Sequence, residues 1–286
     1  MSAHLVDTGV RSPAHRNGLD QILSNPDLAG WQDEEARRLF FAEHDVHKDV
    51  PLLTERRPSM TLEDAYQVQW RGAALRIERG ARFLGHKVGL TSEAMQHQVG
   101  IGEPDSGILL DTMAVANGGT LLARKLRTPR VEAEIAFLLG DDLVGPGISD
   151  GDAREAVSGV CVSLEVIDSR FDLAGITLAD SVADNAGCAR FVLGDVVAVE
   201  GLNLPDEDVA IRVAGQTVGH GRGREVLGDP IRSVVWLAER LAGFGAGLAA
   251  GDIVLTGAVH GSIPLPRGES VSASSPHLGS VVLHVS

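Results

Sequence analysis

The stretch VEAEIAFLLG, residues 131–140, decides how this chain is read, because it sets two carboxylates, Glu132 and Glu134, in what is otherwise an apolar strand. Side chains alternate faces along a strand, so residues two apart share a face, separated by about 6–7 Å. Val131, Ala133 and Ile135 take the opposite face. Adjacent buried carboxylates repel each other unless a cation or a held proton compensates. Glu165 repeats the anomaly in VSLEVID, 31 positions beyond Glu134. Three carboxylates on two apolar strands point to a hard divalent cation held by oxygen, Mg²⁺ or Mn²⁺. The plainer alternative is the solvated face of an edge strand, and the sequence upstream bears on the choice.

A chain of 286 residues buries a sizeable core and holds one large or two modest domains. Apolar residues make up 44% and charged residues 22%, ordinary values for a globular protein. Aromatics, at 4%, are too few to build the core, which falls to Val, Leu, Ile and Ala. The net charge of −14 disfavours nucleic acid and anionic membranes as partners, since both select cationic surfaces. An anionic substrate would need local compensation by a metal or a lysine. Cys161 and Cys188 are too few for a disulfide framework or a thiolate metal site, and both sit in apolar contexts that suit buried small residues. No apolar run approaches the ~18 residues of a membrane span. MSAHLVDTGVRSPAHRNG lacks the apolar core of a secretion signal, so a cytoplasmic location is expected.

Residues 1–20 read as a polar leader. From about 28 to 47 the spacing of Trp31, Ala36, Leu39 and Phe40 predicts a helix. His44 and His47 near its end lack an acidic or thiol companion and suit a solvated helix end better than a metal site. Thr61, followed by Glu63 and Asp64, starts a second helix that ends near Gly80. These define an N-terminal helical segment over residues 1–80. Residues 81–286 are strand-rich, with apolar runs at 83–90, 107–110, 131–139, 159–167, 189–199, 208–213, 252–256 and 279–285. Two clear helices interrupt them, one after Gly151–Asp152 and one from Asp229–Pro230 to Gly243. Strands and helices do not alternate regularly, so the fold class is α+β, mixed and mainly antiparallel, rather than doubly wound. The glycine-rich GHGRGREVLG, 219–228, breaks dinucleotide-binding spacing at Arg224 and has no phosphate-loop ending; a hairpin turn explains it better.

Lys87 interrupts the apolar strand FLGHKVGLT, and a buried lysine is a common base or electrostatic stabiliser. Thr91–Ser92 opens a short helix closed by Gly100. Asp105 follows in EPDSG, a rigid turn presenting a carboxylate that, on local grounds, would cap its own backbone. Thr256 in LTGA is a weaker candidate for substrate binding, with turn capping as the competing role, and Arg130 precedes the Glu pair and can balance its charge.

GHKVGLTSEAMQHQVGIGEPDSGILL, PRVEAEIAFLLG, SLEVIDSR, VADNAGCARFVLG and GDIVLTGA, in that order, resemble the hydratase/decarboxylase branch of the fumarylacetoacetate hydrolase superfamily over roughly residues 45–286. The resemblance implies a β-roll catalytic domain behind a smaller helical part. It implies a metal held by Glu132, Glu134 and Glu165, with Lys87 and Asp105 as catalytic groups. The implied activity is metal-dependent hydration of 2-hydroxypenta-2,4-dienoate, with decarboxylation of 4-oxalocrotonate as the alternative on the same scaffold. Asp105 and the GRGREVLGDP block before a Trp-containing helix tip the resemblance toward the hydratases. Ser106 is a departure, since an aromatic often follows that Asp. The family also implies a homo-oligomer, often built on five-fold symmetry.

Overall fold

The computed structural model describes residues 30–43, 45 and 50–286. The leader expected over residues 1–20 lies outside the described residues, as do His44 and His47.

Helices come first. Helix α1 (Trp31–Ala42) buries Ala36, Leu39 and Phe40, the face expected from their spacing. A single turn, α2 (Leu53–Arg56), leads to α3 (Leu62–Ile77). Thr61 caps α3 with a reciprocal box: its hydroxyl accepts from Asp64 N, and the Asp64 carboxylate accepts from Thr61 N.

Twelve strands follow among the described residues, in two sheets. The larger contains β1 (Phe83–Gly89), β2 (Asp105–Leu110), β4 (Arg130–Leu139), β5 (Val157–Ile167), β6 (Cys188–Leu193), β9 (Ile253–Ala258) and the short β10 (Ile263–Pro264). Their order is β2-β1-β9-β4-β5-β6, with β10 alongside β4. The smaller sheet orders β3 (Gly119–Leu121), β12 (Gly279–Val285), β11 (Ser270–Ser275), β7 (Asp208–Val213) and β8 (Gln216–Arg222). Every pairing is antiparallel except β1 with β9 and β3 with β12. One apolar core runs from Leu39 and Tyr66 on the helices to Phe137 and Leu164 in the larger sheet and Val271 and Leu283 in the smaller. The mixed, mainly antiparallel α+β class is the observed one.

Four short helices are embedded among the strands: α4 (Glu93–Val99), α5 (Asp150–Ala156), α6 (Leu178–Ala183) and α7 (Ile231–Ala242). On α7, Ile231, Val234, Leu237, Ala238 and Leu241 are buried at three- and four-residue intervals, which is why that stretch is helical. No periodic spacing in the sequence marks helix α6. Its six residues are too few to display a period, and its signature is the capping box Thr177 to Asp180.

Two local expectations differ from the structure. The glycine-rich stretch 219–228 is not a hairpin turn; Gly219 and Gly221 lie within β8, and the turn sits earlier, at Ala214–Gly215. The strand needs glycine there, since a Cβ on Gly221 would fall 2.0 Å from Val259 O. Asp105 is not a turn residue either. It opens β2, opposite Gly89 in the ladder.

Candidate active site

Strand pairing brings the acidic residues together. In the β4–β5 ladder Glu132 stands directly opposite Glu165, and Glu134 opposite Ser163. Like charges facing each other across a ladder are destabilising, so this register requires a compensating charge. A slip in the β4–β9 register between Glu134 and Ala136 frees Gly257 N–H, which donates to Glu134 Oε2 at 3.0 Å. Gly257 has φ +100°, and a Cβ there would fall 2.0 Å from Thr91 Oγ1, so glycine is needed on both counts.

The three carboxylates are buried, at 4%, 0% and 0% exposure for Glu132, Glu134 and Glu165. One carboxylate oxygen from each lies within 4.8 Å of the others. Glu132 Oε1, Glu134 Oε1 and both Glu165 oxygens have no hydrogen-bond partner among the described residues. Buried polar atoms are nearly always satisfied, so three carboxylates this close together, each with an orphaned oxygen, mark a place for a cation. An all-oxygen, anionic donor set is the type that hard divalent ions take.

Electrostatics agree with the geometry. Burial, reinforced by the Glu165 charge and opposed by Lys87, pushes Glu132 up to about 8. Glu134 is driven well above its ordinary value by burial, then by Glu165 and Glu132. Burial pulls Lys87 down, but Glu165, Asp105 and Glu132 outweigh it, and the net shift is upward, so the ammonium is retained. Lys87 Nζ lies 3.5 Å from Glu165 Oε2. One lysine cannot balance three carboxylates, and without a cation Glu132 and Glu134 tend to hold protons. Burial, with Glu165 next, likewise keeps the Cys188 thiol protonated, and neither cysteine forms a disulfide.

A cavity of about 270 Å³ opens beside the trio, reaching Glu132, Lys87 and Asp105. Lys87 and Asp105 come from the paired strands β1 and β2 and converge over Gly89. A Cβ on Gly89 would fall 2.3 Å from Asp105 Oδ1 and 2.7 Å from Lys87 Nζ. The Asn185 side chain pins β2, accepting from Ile108 N at 2.7 Å and donating to Ile108 O at 3.0 Å. Leu90, Met95, Val99 and Ile176 supply an apolar wall. Arg130 also lines the cavity, its Nε donating to Ser262 Oγ at 2.7 Å and its Nη2 to Ser262 O. Gln98 on α4 accepts from Ser262 N at 2.9 Å, coupling that helix to the Arg130 wall.

The structure therefore places Glu132, Glu134, Glu165, Lys87 and Asp105 around one site. Thr256 does not join them. It is fully buried, its hydroxyl donates to Ile135 O at 2.9 Å, and its carbonyl accepts from Thr91 and Ser233. That hydroxyl serves the sheet, and it is absent from the cavity wall, so the substrate contact expected of Thr256 is not what its geometry offers. Ser181 donates to Asp105 Oδ2 at 2.6 Å, a contact invisible in the sequence because nothing in ADSVADN distinguishes this residue from an ordinary helix serine.

The fumarylacetoacetate (FAA) hydrolase C-terminal family matches residues 92–286. A 4-oxalocrotonate decarboxylase from Pseudomonas putida is 38% identical over 239 residues, which is 83% of this chain and 89% of that protein. A 2-keto-4-pentenoate hydratase from Paraburkholderia xenovorans is 35% identical over 251 residues, 87% of this chain and 93% of that protein. The solved structure of a 4-oxalocrotonate decarboxylase from Pseudomonas putida, complexed with magnesium and adipate, aligns with a TM-score of 0.84 at 35% identity over 93% of this chain and 98% of that one. With the β-roll, the buried acidic trio and these likenesses in agreement, the chain belongs to the fumarylacetoacetate hydrolase family.

Proposed function

We propose that the chain is a divalent-cation-dependent hydratase that converts 2-hydroxypenta-2,4-dienoate to 4-hydroxy-2-oxopentanoate. The observation that carries this reading is a buried cluster of three carboxylates beside a cavity that Glu132, Lys87 and Asp105 line together. Hydratase relatives of the kind described above support it. Glu132, Glu134 and Glu165 would hold the cation, Mg²⁺ or Mn²⁺, which when bound supplies Lewis-acid stabilisation of negative charge on the oxygen at C2.

The chain's own groups carry the remaining work. Lys87, held as an ammonium, donates to the C2 oxygen or the substrate carboxylate as negative charge develops. Asp105, with one oxygen unpartnered, is the proton carrier. The C2 hydroxyl loses its proton and C5 gains one, leaving a ketone conjugated to the C3–C4 double bond. Water then adds its oxygen to C4 while C3 takes a proton, and Asp105 orients that water. The apolar wall of Leu90, Met95, Val99 and Ile176 suits the uncharged end of such a substrate.

A second reading, decarboxylation of 4-oxalocrotonate, draws on one specific observation. That substrate has a second carboxylate, and Arg130 offers a cation on the same cavity wall. The decarboxylase relatives support it too. The homo-oligomer, five-fold by family resemblance, and a cytoplasmic setting belong to the same proposal, and sedimentation in solution reads the former.

The deciding experiment gives the EDTA-treated protein 2-hydroxypenta-2,4-dienoate and, separately, 4-oxalocrotonate, with and without added Mg²⁺, follows loss of each chromophore and weighs the product. Hydration adds the mass of water, whereas decarboxylation removes that of carbon dioxide. Metal-dependent gain of water supports the hydratase; full activity in EDTA, or loss of carbon dioxide as the faster reaction, overturns it.

A further inference from the structure

Asp105 has a partner to which the reaction above assigns no role. Ser181 Oγ donates to Asp105 Oδ2 at 2.6 Å, and both residues line the cavity. Asp105 Oδ1 has no hydrogen-bond partner among the described residues and lies over Gly89 beside Lys87. One oxygen of the carboxylate is therefore committed and the other open on the side of the reacting groups. A serine inside a helix ordinarily points its hydroxyl to solvent or returns it to the carbonyl four residues back. Ser181 instead donates it to a residue 76 positions away on the same cavity wall.

Ser181 is held from behind by the N-terminal helices. Its neighbour Asp180, fully buried, accepts from Thr54 N at 3.0 Å and Thr54 Oγ1 at 2.7 Å, which ties α6 to α2. Gln69 on α3 donates through Nε2 to Ser106 O at 2.6 Å and to Val182 O at 2.8 Å. One buried amide thus bridges the residue after Asp105 and the residue after Ser181. Tyr66 adds a 3.1 Å hydrogen bond between its hydroxyl and Ser106 Oγ. Ser106, the departure from the family pattern, is where both α3 side chains attach.

We propose that Ser181 is a positioning residue for the hydration: its hydroxyl fixes the Asp105 carboxylate so that Oδ1 exchanges protons with substrate and water, and Gln69 sets the spacing of the two elements that carry the pair. The proposal rests on the hydratase reading of Asp105. Misplacing an acid/base group by a fraction of an ångström lowers turnover far more than substrate affinity. A role in folding alone would lower the unfolding temperature and leave the kinetics of the folded fraction intact.

The test uses the full chain with Mg²⁺ and the dienol substrate, comparing wild type, Ser181→Ala, Asp105→Asn and the double variant. Ser181→Thr and Ser181→Val form a second pair, equal in volume and different only in the hydroxyl. We expect Ser181→Ala to lower kcat about tenfold with KM changed less than about twofold, and Mg²⁺ binding by calorimetry to be unchanged. Thr should retain most of the activity that Val loses. In the Asp105→Asn background, loss of the Ser181 hydroxyl should have no further effect, the mark of two groups acting as one. An active wild type with an equally active Ser181→Ala, Thr and Val indistinguishable, or losses that multiply in the double variant, would overturn this proposal alone. A wild type inert toward the dienol overturns the hydratase reading, and this proposal with it.

Discussion

Replacing Glu132 with Gln should stabilise the protein in EDTA while removing its response to Mg²⁺. The wild-type carboxyl is pushed up to about 8 from an ordinary value of 4.5, by burial first and the facing Glu165 second. A raised folded value means that the group's contribution to stability is fully present below 4.5 and is lost as pH climbs to about 8. At pH 7 the unfolded chain has released this proton and the folded chain still holds it. That difference costs about 1.4 kcal/mol for each pH unit above the ordinary value, or about 3 kcal/mol at pH 7. Gln cannot ionise, and its amide can donate to the orphaned oxygens of Glu165 and Glu134. The gain in EDTA at pH 7 therefore has a ceiling of about 3 kcal/mol, a rise in unfolding temperature of several degrees for a chain of this size. Magnesium at a hundred times its dissociation constant adds about 2.7 kcal/mol to the wild type, and the variant, one anionic ligand short, gains far less. Thermal unfolding from pH 5 to 9, with EDTA or Mg²⁺, reads both effects. A variant less stable than wild type in EDTA at pH 7, or one that Mg²⁺ stabilises equally, would refute the reasoning.

Three further outcomes are expected. Lys87→Met removes the cation 3.5 Å from Glu165 and leaves buried carboxylates less compensated, so the protein should lose about 3–5 kcal/mol of stability and turnover about 100-fold or more; melting curves and initial rates check both. Gly89→Ala puts a Cβ 2.3 Å from Asp105 Oδ1 and 2.7 Å from Lys87 Nζ; kcat should fall at least tenfold with about 1–3 kcal/mol of overpacking strain, and wild-type kcat would show that the two groups need not converge there. Arg130→Gln should weaken a diacid substrate by tenfold or more in kcat/KM while changing hydration of the mono-acid less than about threefold; equal losses on both would mean that Arg130 supports the cavity wall through Ser262 rather than reading a distal carboxylate.

Much of the scaffold could be read from residue order because its signals are local. The period-two runs of β4 and β5, the cap of Thr61 on α3 and the three- and four-residue spacing of α7 each depend on neighbours within a turn or a pleat. Strands β3 and β10 are hard to read because they are two or three residues long and pair with strands distant in the chain, whereas β8 and β11, in local hairpins with β7 and β12, carry glycines and serines in place of a clear apolar alternation. Helix α6, six residues long, is too short for a period and is secured by Thr54 and Gln69 from far upstream.

The site divides along the same line. Residue order alone determined that Glu132, Glu134, Glu165 and Lys87 are charges set in apolar strands, an anomaly that holds in any fold because ionised groups resist burial. Only the tertiary structure decided that Glu132 faces Glu165, that a register slip turns Gly257 N–H onto Glu134, that Thr256 serves the sheet, and that Ser181 reaches Asp105. Those are matters of register and of contacts between distant segments. A shift of one residue in a ladder turns every side chain to the other face, and in β4 and β5, buried on both faces, the apolar pattern alone does not select between the two registers.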